Sequence, residues 1–127
     1  MDLTGSAAGG SGPLSAVVSD YYRNIDQRDV EAALTCFAQN AVYRRPGYAA
    51  FVGLSAINEF YQDGRVISAG RHELESIVED ADTVAVRGSF RGTSHGGDQL
   101  AVRFADFWRF SGRVVVERNT YFDAAAV

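Results

Sequence analysis

The stretch from Ala101 to Asp123 most constrains what this chain can fold into, because it reads as two strands joined by a tight turn at a Ser111-Gly112 pair. A period of two marks a strand with one buried face, and Ser-Gly between two such runs closes a tight hairpin. The first strand of the hairpin sets Val102, Phe104, Asp106, Trp108 and Phe110 on one face. One carboxylate therefore interrupts an apolar, aromatic row. Burying a carboxylate is costly unless it is paired, hydrogen-bonded or protonated, so Asp106 is the first candidate for function. On the returning strand Arg118 is expected to share a face with Val116, Thr120 and Phe122.

The remainder reads as helices followed by strands. Residues 1–13 are rich in Gly, Ser and Ala and are expected to form a flexible tail, leaving 14–127 as a single domain. Leu14, Val17, Val18, Tyr21, Tyr22 and Ile25 recur at helical spacing, and Asp26-Gln27-Arg28 breaks the pattern. Asp29 is the N-cap of a second helix, expected to run from Val30 to about Gln39. Ala41 to Arg45 reads as a short strand closed by Pro46-Gly47, and Ser55 as the cap of a third helix, Ala56 to about Gln62, that buries Ile57, Phe60 and Tyr61. His72 to Val78 and Thr83 to Phe90 alternate as a hairpin turned at Asp80-Ala81-Asp82. The expected fold is α+β: a curved antiparallel sheet packed against three N-terminal helices and enclosing one pocket.

Composition removes several classes of function. A net charge of -4 argues against a nucleic-acid partner, which needs a basic face. All 12 basic residues are arginine, so Schiff-base and pyridoxal chemistry lack their lysine amine. One cysteine and two histidines rule out a structural zinc site, and no metal or cofactor is expected. No apolar run approaches the roughly 18 residues of a membrane span, and the N-terminus lacks the layout of a secretion signal. With Cys36 unable to form an internal disulfide, a cytoplasmic protein is expected. The Gly9-Gly10-Ser11-Gly12 and Gly96-Gly97 segments open no helix after a strand and are not phosphate loops.

From Leu14 to Asp123 the order of elements resembles the nuclear-transport-factor-like cone fold, within it the branch of ketosteroid isomerase, limonene epoxide hydrolase and the SnoaL-like polyketide cyclases. The resemblance is carried by Asp29-Val30-Glu31-Ala32-Ala33-Leu34-Thr35-Cys36-Phe37, by Ala56-Ile57-Asn58-Glu59-Phe60-Tyr61, and by Asp106-Phe107-Trp108-Arg109-Phe110 with its Gly112-Arg113-Val114 turn. Similarity to ketosteroid isomerase implies an oxyanion-hole tyrosine at Tyr21, a supporting tyrosine at Tyr61 and a neutral aspartic acid at Asp106. The base of that enzyme falls on Arg45, which cannot accept a proton. The water-activating residues of limonene epoxide hydrolase fall near Gly88, Phe90 and Thr120, none of them charged; its tyrosine is matched by Tyr43. The acid of the SnoaL-like cyclases falls near Thr120, with Asp123 close by.

Two states of Asp106 follow from physics: unpaired, it stays protonated and donates; paired with Arg45 or Arg118, it is an anchor. Arg44 and Arg45 are adjacent on a strand, so one points in and one out. His72 is the expected substitute base, histidine being the side chain that titrates nearest neutrality, whereas His95 sits in a hairpin loop. The expected catalytic set is Asp106, Tyr21, His72 and Arg45, with Tyr43, Tyr61, Phe60, Phe90, Phe104, Trp108, Arg118, Thr120 and Phe122 lining the substrate site. The function these residues suggest is a cofactor-independent isomerase or cyclase for an apolar, carbonyl-bearing metabolite of polyketide or terpenoid type. The alternative is a non-catalytic binding protein for an apolar anion, and an epoxide hydrolase is the weaker one. They are separated by whether a proton acceptor faces the pocket beside Asp106. The outward row Ala105, Phe107 and Arg109 is expected to form a homodimer contact through the sheet.

Overall fold

The C-terminal hairpin lies at the centre of the sheet. The computed structural model describes residues 12–65 and 67–124, so residues 1–11 of the expected tail lie outside the described residues. The elements are α1 (Leu14–Asp26), α2 (Val30–Leu34), β1 (Phe37–Arg44), β2 (Phe51–Val52), α3 (Leu54–Glu59), a π-helical turn (Phe60–Gly64), β3 (Ile67–Asp80), β4 (Thr83–Ser94), β5 (Gln99–Ser111) and β6 (Val114–Phe122). Across the sheet they run β2-β1-β6-β5-β4-β3. The described helices are too short to cross a membrane.

The α+β architecture is as expected, with one correction: β1 pairs parallel with β6, so the curved, unclosed sheet is mixed and not wholly antiparallel. The alternation within a lone strand says which face is buried but not which way its partner runs. Bulges bend the sheet. One falls between Leu74 and Ser76 of β3, another between Arg109 and Phe110 where β5 meets β6. The second leaves Val116 as the extra residue, so Val115, fully buried, turns inward before Arg118, in place of the expected Val116.

The second helix is shorter than its periodicity suggests. Asp29 does cap it, accepting from the Ala32 amide at 3.1 Å. It then stops because Thr35 Oγ1 donates to the Ala32 carbonyl at 2.6 Å and Cys36 Sγ to that of Ala33 at 3.3 Å. Such back-bonding competes with helix continuation. Phe37 therefore starts β1, and its place on the helical stripe becomes a place on the inner face of the sheet. The third helix begins at Leu54 after Gly53, without the expected Ser55 cap, and its last turn loosens into the π-helical turn that carries Phe60 and Tyr61.

The core fills the concave side. Tyr21 and Tyr22 of α1 meet Trp108 of β5 edge to face, Tyr22 also meets Phe104, and Val18, Ile25 and Phe110 are buried in the same core. Glycines permit two close approaches: a Cβ on Gly70 would stand 2.1 Å from Phe90 Cζ, and one on Gly88 would stand 2.3 Å from the Glu73 carbonyl oxygen. On the opposite face Phe107 and Tyr121 remain exposed and meet edge to face at 6.0 Å between ring centroids.

Candidate functional site

Asp106 and Arg118 are buried together and form the centre of a hydrogen-bonded cluster. They face each other because β5 and β6 are antiparallel neighbours and both side chains point into the cone. Arg118 donates from Nη2 to Asp106 Oδ2 at 2.9 Å and from Nε to Oδ1 at 3.2 Å. Tyr22 Oη also donates to Oδ2, and Thr120 Oγ1 to Oδ1. A carboxylate offers about four lone-pair sites, and these four donors fill them. Burial by itself would raise the Asp106 pKa, but the charge of Arg118 and the four hydrogen bonds together bring it below the ordinary carboxylate range. Asp106 is thus the paired anchor, with no proton to donate to an oxyanion and no free lone pair to act as base.

Arg118 carries the arrangement further. Its Nη1 donates to Tyr21 Oη at 2.7 Å and to Tyr61 Oη at 3.0 Å. Its guanidinium also lies 4.5 Å from the Trp108 ring centroid and 4.6 Å from that of Tyr43. The two hydroxyls of Tyr21 and Tyr61 bond to each other. One phenolic hydrogen is used between them, and the other is left to donate to a third group. Burial pushes both phenols up, against the lowering effect of the Arg118 charge, so both stay protonated. A protonated hydroxyl backed by a fixed cation is a preorganised donor for developing negative charge.

His72 stands on the same cavity wall as Tyr21 and Tyr61. Its Nδ1 lies 2.6 Å from Asp26 Oδ1, and its backbone N–H donates to Asp26 Oδ2 at 2.8 Å. An ionised carboxylate only accepts, so Nδ1 is the donor in this bond, and the tautomer of the neutral ring that fits it has its lone pair on Nε2. Tyr22, Phe90 and Phe104 surround the ring at centroid distances of 5.1, 4.8 and 5.5 Å. No protein group among the described residues takes up Nε2. Asp26 was not foreseen as a site residue. A signal existed, since Asp26 follows Tyr22 by four residues and so prolongs the buried stripe of α1 with an acid.

The cavity has about 30 Å³ of free space, room for roughly two waters. The four residues expected to act in catalysis all line it, as do Tyr43, Tyr61 and Arg118. Phe90, Phe104, Thr120 and Phe122 complete the expected members of its wall. Phe60 and Trp108 do not line it, which corrects the expectation: each lies behind an arginine, Phe60 at 5.1 Å from Arg45 Cζ and Trp108 against Arg118. Ile25, Arg65 and Ile67 line it unforeseen. Arg44 points outward and pairs with Glu117 at 2.6 Å, whereas Arg45 turns to the cavity and donates to Tyr43 Oη at 3.0 Å. Cys36 lies elsewhere, and burial raises its thiol to about 12. Among the described residues no group of His, Cys, Asp and Glu could hold a metal ion.

The sequence pattern of the SnoaL-like domain matches residues 18–118. The chain belongs to the SnoaL-like family. No curated protein matches it. Solved structures show where the SnoaL-like chain stands in fold space. An NTF2-like protein of unknown function from Burkholderia pseudomallei is similar with a TM-score of 0.80 and 20% identity, over 87% of this chain and 90% of that one. TerC, co-crystallised with polyporic acid, is similar at 0.77 and 21%, over 88% and 92%. A protein with a ketosteroid isomerase-like fold from Catenulispora acidiphila, in complex with trimethylamine, is similar at 0.76 and 18%, over 87% and 88%. At such identities the likeness shows the fold. Ligands as different as an acid and an amine occur on it, so function has to be argued from the side chains of the SnoaL-like chain itself.

Proposed function

We propose that the protein is a cofactor-independent isomerase or cyclase for an apolar, carbonyl-bearing small metabolite of polyketide or terpenoid type. One observation carries this reading: the Asp26–His72 pair supplies an oriented proton acceptor on the wall that also presents the Tyr21–Tyr61 hydroxyls. His72 Nε2 takes the proton from the carbon beside the substrate carbonyl. The electron pair left on that carbon moves onto the carbonyl oxygen, giving an enolate. The free hydrogen of the tyrosine pair donates to that oxygen, and Arg118 holds both hydroxyls in place. Return of the proton from His72 to a different carbon completes an isomerisation; attack of the enolate carbon on a second carbonyl turns that carbonyl oxygen into an alkoxide, and return of the proton from His72 to it completes a ring closure.

An acceptor lining the same cavity as Asp106 favours catalysis over simple binding, and the full coordination of Asp106 disfavours activation of water for epoxide opening. The test uses 2-tetralone, whose protons beside the carbonyl are acidic, in deuterated buffer followed by NMR. The protein should accelerate their exchange, and His72→Gln should reduce that acceleration about a hundredfold or more. Exchange that His72→Gln leaves untouched removes His72 as the base, and no acceleration in the wild type favours the binding reading.

A further inference from the structure

We propose that the mouth of this cavity is a carboxylate subsite, formed by Arg45 and Arg65, for a ligand whose acid group is attached to a flat unsaturated ring. The proposal deepens the reading above by naming the substrate class, and rests on it only in placing that ligand in the same cavity.

Charge makes the first case. Three arginines line the cavity, Arg45, Arg65 and Arg118, against a single acid, Asp106. Asp106 is fully engaged by Arg118, Tyr22 and Thr120. Two cations are left at the mouth, and among the described residues neither has a carboxylate partner. An enclosed site with uncompensated cations is built for an anion.

Hydrogen bonding makes the second. Arg45 Nε is buried without an acceptor, the one such side-chain atom among the described residues. Its Nη1 has only the Tyr43 hydroxyl, at 3.0 Å. Elsewhere among the described residues buried polar side-chain atoms find partners, and an orphaned charged donor is costly to keep. A carboxylate accepting from Nε and a terminal nitrogen side by side is the partner that a guanidinium edge fits best.

The aromatic surroundings specify the rest of the ligand. Arg45 Cζ lies 5.1 Å from the Phe60 ring centroid, 5.2 Å from that of Phe122 and 5.7 Å from that of Tyr48. Arg65 Cζ lies 5.1 Å from that of Tyr61. Rings around the guanidinium groups hold the cations in place. The same rings offer flat apolar contact to an aromatic or conjugated ligand. Space is found beside Arg65: it borders both the 30 Å³ cavity and an adjoining hollow of about 200 Å³, so moving its side chain joins the two.

The experiment is calorimetry on the full chain with three probes: 1-naphthoate, its methyl ester and 1-naphthylmethylamine. The acid should bind about tenfold or more tightly than the ester, and the amine more weakly than either. Arg45→Met should remove most of the preference for acid over ester while leaving ester affinity unchanged, and Arg65→Met should reduce it in part. Arg87→Met, an exposed arginine beside Glu75 on the outer face, should change nothing. Equal affinity for acid and ester in the wild type, no binding of the acid at millimolar concentration, or equal weakening of both probes by Arg45→Met would each overturn the proposal. His72→Gln should retain the acid preference. A preference for acid without catalysed tetralone exchange would leave the subsite standing and the proton-transfer reading refuted; exchange without the preference would do the reverse.

Discussion

Replacing Arg118 with methionine should make the protein respond to pH in the opposite sense from the wild type. In the folded protein Asp106 is held below the ordinary carboxylate range, chiefly because the Arg118 charge and the surrounding donors outweigh the cost of burial. A carboxyl depressed in this way stabilises the fold above its unfolded pKa of about 3.9, and that stability is lost as pH falls through the lower folded value. Arg118→Met removes the bonds at 2.9 and 3.2 Å to Asp106 and those at 2.7 and 3.0 Å to Tyr21 and Tyr61. Breaking one side of a buried ion pair costs about 3–5 kcal/mol. Burial then dominates at Asp106, which is fully enclosed, and its folded pKa rises above the unfolded one. Its contribution is now complete below about pH 3.9 and is lost as pH rises towards the folded value, at about 1.4 kcal/mol for each pH unit. Urea unfolding at pH 5 and pH 7 should therefore show the variant less impaired at pH 5. Asp106→Asn alone should cost a similar 3–5 kcal/mol by stranding Arg118, while Asp106→Asn with Arg118→Met should cost about 2–4 kcal/mol less than the sum of the two. A deficit in Arg118→Met that is equal at both pH values, or additivity within about 0.5 kcal/mol, would refute the assignment of Asp106 as an ionised anchor.

Asp26→Asn offers an amide that can donate to His72 Nδ1 and so favours the wrong tautomer; tetralone exchange should fall about 10²–10⁴-fold with little change in the urea midpoint. Gly70→Ala places a methyl group 2.1 Å from Phe90 Cζ, and pushing that ring aside should destabilise the fold by about 1–3 kcal/mol, read from denaturant unfolding.

What could be read from the sequence was set by how local the signal is. Asp106 was legible because an acid in a strict period-two row is visible at once, and Tyr21 because helical spacing places it on a buried stripe. The choice of partner for Asp106 was not, because Arg45 and Arg118 both fell on inward positions; only the register of β5 with β6 separates them. The β6 bulge at Val116 escaped for the same reason, since an inserted residue changes phase without altering composition. Asp26 and His72 are 46 residues apart and meet only when α1 packs on β3. The end of α2 was misplaced because Phe37 satisfies a helical and a strand pattern equally well, and the side chains of Thr35 and Cys36 decide between them.

The paired hydroxyls of Tyr21 and Tyr61 have a consequence for the timing of charge. Either ring can be the one that donates to the other, because Arg118 Nη1 supports both oxygens. Rotating two hydroxyls, with no heavy atom displaced, transfers the available hydrogen from one ring to its neighbour. In the proposed reaction, a negative charge that migrates along a conjugated substrate would be followed by its counter-dipole within the lifetime of an intermediate, the wall of the cone acting as a donor that moves on a fixed track.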